Sequence, residues 1–464
     1  MIVVTVIAIA LWLAIPFRAK HAEVRYLSLA AAVSFIQDPL RKIVPGAPPY
    51  LQLLFAGVVA IIYVLYRWRG VIGNYPQWAW PFLLSAVPLM LVIALSTAYH
   101  AGADFNLLIA TLGLFTYLFF VPVFLLAQDC LRSDELIIEF MRNYVLMSSI
   151  QILGVWMEYV FGEQILSGIG YTGHLYDDKL TVVLQTGREL VQYCGFFQSS
   201  EPMVFCLALA FMYSITLAVY GDGRRRNVIL ALAFFVTSLL GVRRKGLLLF
   251  AGVLLFQMGF VLSQRKVSAQ RVAASLVLLC AVSVVGGSIF YRYAPETFEA
   301  FYDRFVMDSA DEASGRFEEM TLTNLQDASS SIGPLGSGIG YCAVGSQFLY
   351  AQSSQAIPEG GLGTVYWELG VPGILGLLAV MAGGITMMLR ARHHIRGQLK
   401  VTLFNSIFGF LLGSLAAFLL SHTMIWIYFS IFMIWLNIGM AVGMAEGDRI
   451  GAEQRNQLRP EQRR

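Results

Sequence analysis

"LGTVYWELGVPGILGLLAVMAGGITMML", Leu362–Leu389, decides the fold. It runs for 28 residues with one charged side chain, Glu368. About 20 predominantly apolar residues cross the hydrocarbon of a bilayer, so this stretch reads as a transmembrane helix. The same reading extends along the chain. Apolar runs recur at 1–17, 26–40, 50–66, 79–97, 107–127, 141–161, 200–220, 226–241, 246–263, 272–292, 362–389, 401–421 and 423–444. The composition agrees: 57% of residues are hydrophobic and 13% charged, where a soluble domain carries about a quarter charged. The expected fold is an all-α polytopic membrane protein with about 12–13 transmembrane helices. The run at 26–40 ends in "QDPLRK" and is expected to be a broken helix.

Charge sets the expected orientation. The first run has no charged n-region and no small-residue cleavage site, so it reads as a span rather than a cleaved leader. Arg18, Lys20 and Arg25 follow it, which places the N-terminus outside. The inner segments are then 18–25, 67–78, 128–142, 221–226, 264–271, 390–400 and 445–464. They hold 22 of the 32 Lys and Arg residues, as the positive-inside rule requires. The formal net charge of +3 says little beyond this, because the basic residues are mostly topological markers. The domain organisation expected is one transmembrane domain over 1–444, with outer loops 162–199 and 293–361. A polar, basic cytoplasmic tail over 445–464 is expected to be disordered or to lie on the inner headgroups.

The unusual chemistry lies in the outer segments. The 293–361 segment carries ten acidic residues. "APETFEAFYDRFVM" has amphipathic helix spacing, "SGRFEEMTLTNLQDA" reads as a second helix capped by Ser314, and "SSSIGPLGSGIGYCAVGS" reads as a turn-dense loop. Just before the quoted span stand Glu359, Gly360 and Gly361, with Glu368 nine residues further on. A carboxylate inside a span is costly unless paired or wetted, so Glu368 reads first as half of a buried salt bridge or as a helix-to-helix hydrogen-bonding group, ahead of a catalytic role. Glu359 reads either as a solvated loop acid or as a general base at a membrane rim.

Cations supply the complement. "LLGVRRKGLLLF", Leu239–Phe250, sets Arg243, Arg244 and Lys245 between two apolar runs. Guanidinium forks suit phosphate oxygens, which makes this an anion site; the alternative is a tight turn whose side chains snorkel to headgroups. Arg316 sits in an acidic loop where a solvated salt bridge is the ordinary role. Arg188 and Gln198 lie in "TGRELVQYCGFFQSSEP", Thr186–Pro202, read as a re-entering loop or an ordinary helix entry. Tyr366 completes the expected substrate-binding set of Arg243, Arg188, Lys245, Gln198 and Tyr366. Glu359, Arg244 and Arg316 are the expected catalytic residues.

The five cysteines form no C-x-x-C pair and have no histidine spacing suited to zinc, so neither metal nor cofactor is expected. Cys194 and Cys342 read as isolated small hydrophobes, with a disulfide between them as the alternative. No P-loop, nucleophile elbow or zinc-protease helix occurs, and nothing points to nucleic acid. Fixed arginines can neutralise a leaving diphosphate without a metal, and a carboxylate can take the proton of an attacking hydroxyl. The expected substrate is therefore a polyprenyl-pyrophosphate-linked oligosaccharide, with a glycan acceptor. Direct displacement at the anomeric carbon would invert its configuration.

Four segments then resemble, in order, the bacterial O-antigen ligase and polysaccharide polymerase (Wzy-type) superfamily of integral membrane glycosyltransferases. They are "CGFFQSSEP", "GVRRKGLLLF" with Arg244 at the arginine position, "SGRFEEM…IGPLGSGIG", and "EGGLGTVYWELGVPG". The likeness covers about residues 186–375 by motif and the remainder by hydropathy. It implies a GT-C-like fold, undecaprenyl-linked donors, an outward cleft beneath the large loop, and a bacterial inner membrane location with N-terminus out and C-terminus in. Polysaccharide chain-length or export proteins are the companions it implies. Ligases carry His where this chain has Glu359, which leans the reading toward a polymerase or another exopolysaccharide-assembly member. Transfer to a lipid or protein acceptor is the alternative. A lipid-linked sugar flippase or a non-catalytic export scaffold is the alternative from another class; a transporter should show internal repeats and midplane charges, and neither is visible in the sequence.

Overall fold

The computed structural model describes residues 2–43, 50–68, 76–100, 107–118, 120–161, 181–183, 189–197, 199–220, 223–241, 243–263, 287–288, 291–292, 295–302, 315, 318–342, 360–420 and 428–458. The protein is helical and multi-pass. In chain order the helices are α1 (Ile2–Ala14), α2 (Ala22–Ile43), α3 (Tyr50–Trp68), α4 (Trp80–His100), α5 (Leu107–Leu118), α6 (Phe120–Cys130), α7 (Asp134–Phe161) and α8 (Ser200–Tyr220). There follow α9 (Arg224–Leu239), α10 (Arg244–Ser263), α11 (Pro295–Tyr302), α12 (Asn324–Ser331), α13 (Gly361–His394), α14 (Gln398–Leu420) and α15 (Tyr428–Leu458). Between α7 and α8 lies one antiparallel hairpin, β1 (Thr181–Val183) with β2 (Glu189–Val191), which the helix-only expectation lacks.

Among the described residues seven helical stretches are long and apolar enough to cross a membrane: 77–97, 109–130, 134–161, 200–220, 361–394, 398–419 and 429–454. Shorter apolar helices at 3–18, 55–68 and 246–257 match three more of the expected runs. The expected span 272–292 lies almost wholly outside the described residues.

Two expectations need correction. The run at 26–40 belongs to a continuous helix that passes through Pro39. The polar stretch from 445 is no separate tail as far as Leu458. It continues α15, because its charges find partners: Arg449 grips Glu446 at 2.8 Å and Glu453 at 2.7 Å, one helical turn away on either side.

Small residues let the helices approach closely, which is how bundles associate where water provides no drive. Gly252 of α10 faces Gly409 of α14 so tightly that a Cβ on either would collide with the other's carbonyl oxygen. Gly413 meets the Leu248 carbonyl the same way. Aromatic side chains fill the centre: Phe35 touches Trp12, Tyr144, Phe197 and Phe429.

Ion pairs gather at one end of this bundle. Arg67 and Arg132 flank Asp129 at 3.0 and 2.7 Å, and Lys400 bonds Asp448 at 2.6 Å with Asp134 at 3.6 Å. The Lys20 amide donates to Glu139, and the Trp78 ring packs against His394. Five of the segments expected to share a face (18–25, 67–78, 128–142, 390–400 and 445–464) therefore meet. Helix α7 starts at this end with Asp134 and reaches the opposite end at Glu158.

Candidate functional site

At that opposite end the four motif segments join in two pairs. The first pair is the entry to α8 and the turn before α10. Gly195 holds a φ of +61°, and an added Cβ there would lie 2.8 Å from the Gln151 side chain and from the Val155 amide. Glycine lets the chain press onto α7, where Glu158 accepts the amides of Cys194 (2.7 Å) and Gly195 (2.6 Å). Gln151 donates to the Cys194 carbonyl at 2.7 Å. Phe196 and Phe197 are buried beneath. The loop delivers Ser200 and Glu201 to the first turn of α8.

Ser200 donates to Gln192 at 2.8 Å and accepts from Arg243 Nε at 2.8 Å. An Arg243 Nη lies 3.6 Å from the Glu201 carboxylate. Here the Gly241 amide donates to the Ser238 carbonyl and the Gly246 amide to the Arg243 carbonyl, the backbone of the tight-turn alternative. Its excess charge is partly met by Glu201. Arg244 and Lys245 open α10, at the positive end of a helix dipole; their side chains lie outside the described residues.

The second pair is the glycine-rich loop and α13. In "GPLGSGIGYC" three of the four glycines, Gly336, Gly338 and Gly340, have φ of +78°, +114° and +92°, a region that side chains avoid. The loop lies against a break in α13 at Gly370, whose φ is +64° and ψ −159°. Ser337 donates to the Trp367 carbonyl (2.7 Å), Gly338 to that of Glu368 (3.0 Å), and Val371 to that of Pro334 (2.9 Å). The carbonyls freed by the break, which Pro372 encourages, are thereby satisfied. A Cβ at Gly370 would strike the Pro334 oxygen.

Glu368 locks this joint. It is fully buried, and its two oxygens accept from the Cys342 amide (2.7 Å) and the Tyr117 hydroxyl (2.8 Å). Of the first readings of Glu368, the hydrogen-bonding group between elements matches its geometry. Burial, with Glu368 beside it, pushes the Cys342 thiol well above the usual thiol range. Cys194 and Cys342 are both buried and are not joined to each other by a disulfide.

Both pairs flank α14: Phe205 of α8 packs on Phe410, and Gly361 at the head of α13 rests against Phe418. A short π-helical stretch, Glu319–Thr323, precedes α12 in the segment that resembles the family's loop motif and touches α13 and α14.

Of the expected site residues, Arg243 is placed as above. Tyr366 is buried in the first turns of α13. Glu359, Arg316, Arg188 and Gln198 lie outside the described residues. Sequence reasoning passed over Glu158, Glu201 and Tyr117. A lone carboxylate in the apolar run 141–161 was the available signal for Glu158; Tyr117 carried none. Among the described residues no cluster of His, Cys, Asp or Glu could hold a metal ion. No protein-family model matches the chain, and no curated protein matches it significantly.

Proposed function

We propose that the protein is a membrane glycosyltransferase that polymerises or transfers undecaprenyl-pyrophosphate-linked oligosaccharide at the outer face of a bacterial inner membrane, within a GT-C-like fold. The observation that carries this reading is the pairing of the four motif segments at one end of the bundle. Arg243 ties the second segment to the first through Ser200 and Glu201. Glu368 ties the fourth to the third through Cys342.

In this reading the acceptor hydroxyl attacks the anomeric carbon of the donor while the bond to the diphosphate oxygen breaks. Arg244 and Arg316, helped by Arg188 and Lys245, take up the charge released on the diphosphate. Glu359 receives the hydroxyl proton. Arg243, already engaged by its neighbours, holds the turn that presents Arg244. Gln198 and Tyr366 line the approach of the sugars. The activated lipid carries the energy of the reaction, so no nucleotide site is needed.

Purified protein incubated with a defined lipid-pyrophosphate oligosaccharide tests this. A product ladder identifies a polymerase, and a single transfer to another acceptor identifies a ligase. Absence of any product overturns the enzyme reading in favour of a flippase or scaffold. Arg244→Ala, Arg316→Ala and Glu359→Gln should each abolish product while the protein still reaches the membrane. Near-normal product from Glu359→Gln removes that residue as the base.

A further inference from the structure

A cavity of about 160 Å³ opens among α4, α5, α13, α14 and α15, at the level of the membrane-crossing helices. Its walls are chiefly aliphatic and aromatic, and no described residue lining it is charged. The polar groups at its edge are already used. Ser414 donates back to the Phe410 carbonyl at 2.8 Å, and Tyr117 turns its hydroxyl away to Glu368. An apolar cavity of this size without hydrogen-bonding partners stays dry and accepts hydrocarbon. Gly384 on α13 leaves the space open, since an added Cβ would meet only Phe82, at 4.0 Å.

We infer that this cavity is a binding site for one acyl chain of a bilayer phospholipid. The phase surrounding these helices is acyl chain, and lipid tails are as apolar as the leucines they would touch. With no cation among the described lining residues to select a headgroup, occupancy follows abundance, which favours the bulk phospholipid over a rare pyrophosphate carrier. The site also has a consequence for the loop above it. The ring of Tyr117 is cavity wall, and its hydroxyl bonds the carboxylate that anchors Cys342. Phe418, another wall residue, supports Gly361 at the head of α13. A chain packed in the cavity therefore braces both sides of the joint between the glycine-rich loop and α13. None of this depends on the catalytic reading above.

Trp435 lines the cavity and supplies the probe. Protein is reconstituted in vesicles of dibrominated phosphatidylcholine, and the fluorescence of Trp435→Phe is subtracted from that of the wild type to isolate Trp435. Quenching of that component should fall about twofold when Gly384→Leu fills the cavity from α13. Leu415→Phe fills it from α14 and serves if the first variant does not fold. Quenching that is absent, or unchanged in a folded cavity-filled variant, overturns the site. Relief of quenching in the wild type by a few mole per cent of unbrominated polyprenyl phosphate overturns the phospholipid assignment, because the carrier lipid then displaces the acyl chain. Insensitivity to polyprenyl phosphate supports it.

Discussion

The two ends of the bundle differ in what their carboxylates chiefly hold, although each has both kinds of contact: the Lys20 and Arg396 amides donate to Glu139 and Asp448 at one end, and Arg243 pairs with Glu201 at the other. At one end Asp129, Asp134 and Asp448 face Arg67, Arg132 and Lys400. At the other, Glu158 and Glu368 are buried and accept from backbone amides, with a tyrosine hydroxyl added at Glu368. Ion pairs in the partly wet rim join helix ends that are already formed, and solvent screens part of their strength. A carboxylate on backbone amides instead dictates the path of a loop, since each amide occupies one position in the chain. The ion-paired end therefore closes the bundle, while the amide-bound carboxylates shape the loops that carry the proposed chemistry.

Perturbing both ends sharpens that contrast. Glu368→Ala should have the largest effect, lowering stability by about 3 kcal/mol, because the buried Cys342 amide and Tyr117 hydroxyl both lose their acceptor. Thermal unfolding of the purified protein in detergent reads this, and an unchanged midpoint would remove Glu368 as the anchor. Gly370→Ala comes next at about 2 kcal/mol, from the left-handed backbone and the collision with Pro334. It should also expose the 333–342 loop to limited proteolysis; protection equal to the wild type would show that the joint tolerates a side chain.

Lys400→Met should cost about 1 kcal/mol at low salt, since Lys400 is buried but Asp448 and Asp134 retain solvent. The deficit should shrink as ionic strength rises, because salt weakens the wild-type pairs. A deficit that stays constant with salt would mean that the buried hydrogen bonds of Lys400 to Asp448 and the Arg132 carbonyl, rather than screenable charge, matter there. Glu453→Ala should be smallest, about 0.3 kcal/mol or less, as the exposed outer half of a helical pair. A loss as large as that of Lys400→Met would show that the final turns of α15 are held from outside the helix.

Much of the architecture was legible residue by residue. The run Leu362–Leu389 became α13 to within one residue at its start and five at its end, because apolar length is a local property that needs no partner. Its break was not anticipated, although "ELGVPG" carried the cue: Pro372 removes a donor and Gly370 supplies the freedom. Of the two expectations for the tail, disorder or lying on the inner headgroups, disorder does not hold as far as Leu458, where α15 continues. Its i,i+3 and i,i+4 pairs around Arg449 were present in the sequence and were the better guide. The candidate site was legible only in part. Glycines and cations marked its segments, but the acids that organise them, Glu158 and Glu201, were absorbed into helices.

By itself the sequence determined which stretches form apolar helices long enough to cross a membrane and which charged segments gather at one end of the bundle. Those follow from hydropathy and charge, each acting within about a turn of its own residue. Only the tertiary structure decided that Glu368 would meet Tyr117 across 251 positions and that Arg243 would meet Ser200 across 43. Such partners are chosen by which helices pack together, and a hydrogen bond leaves no periodic trace of its far end in the sequence.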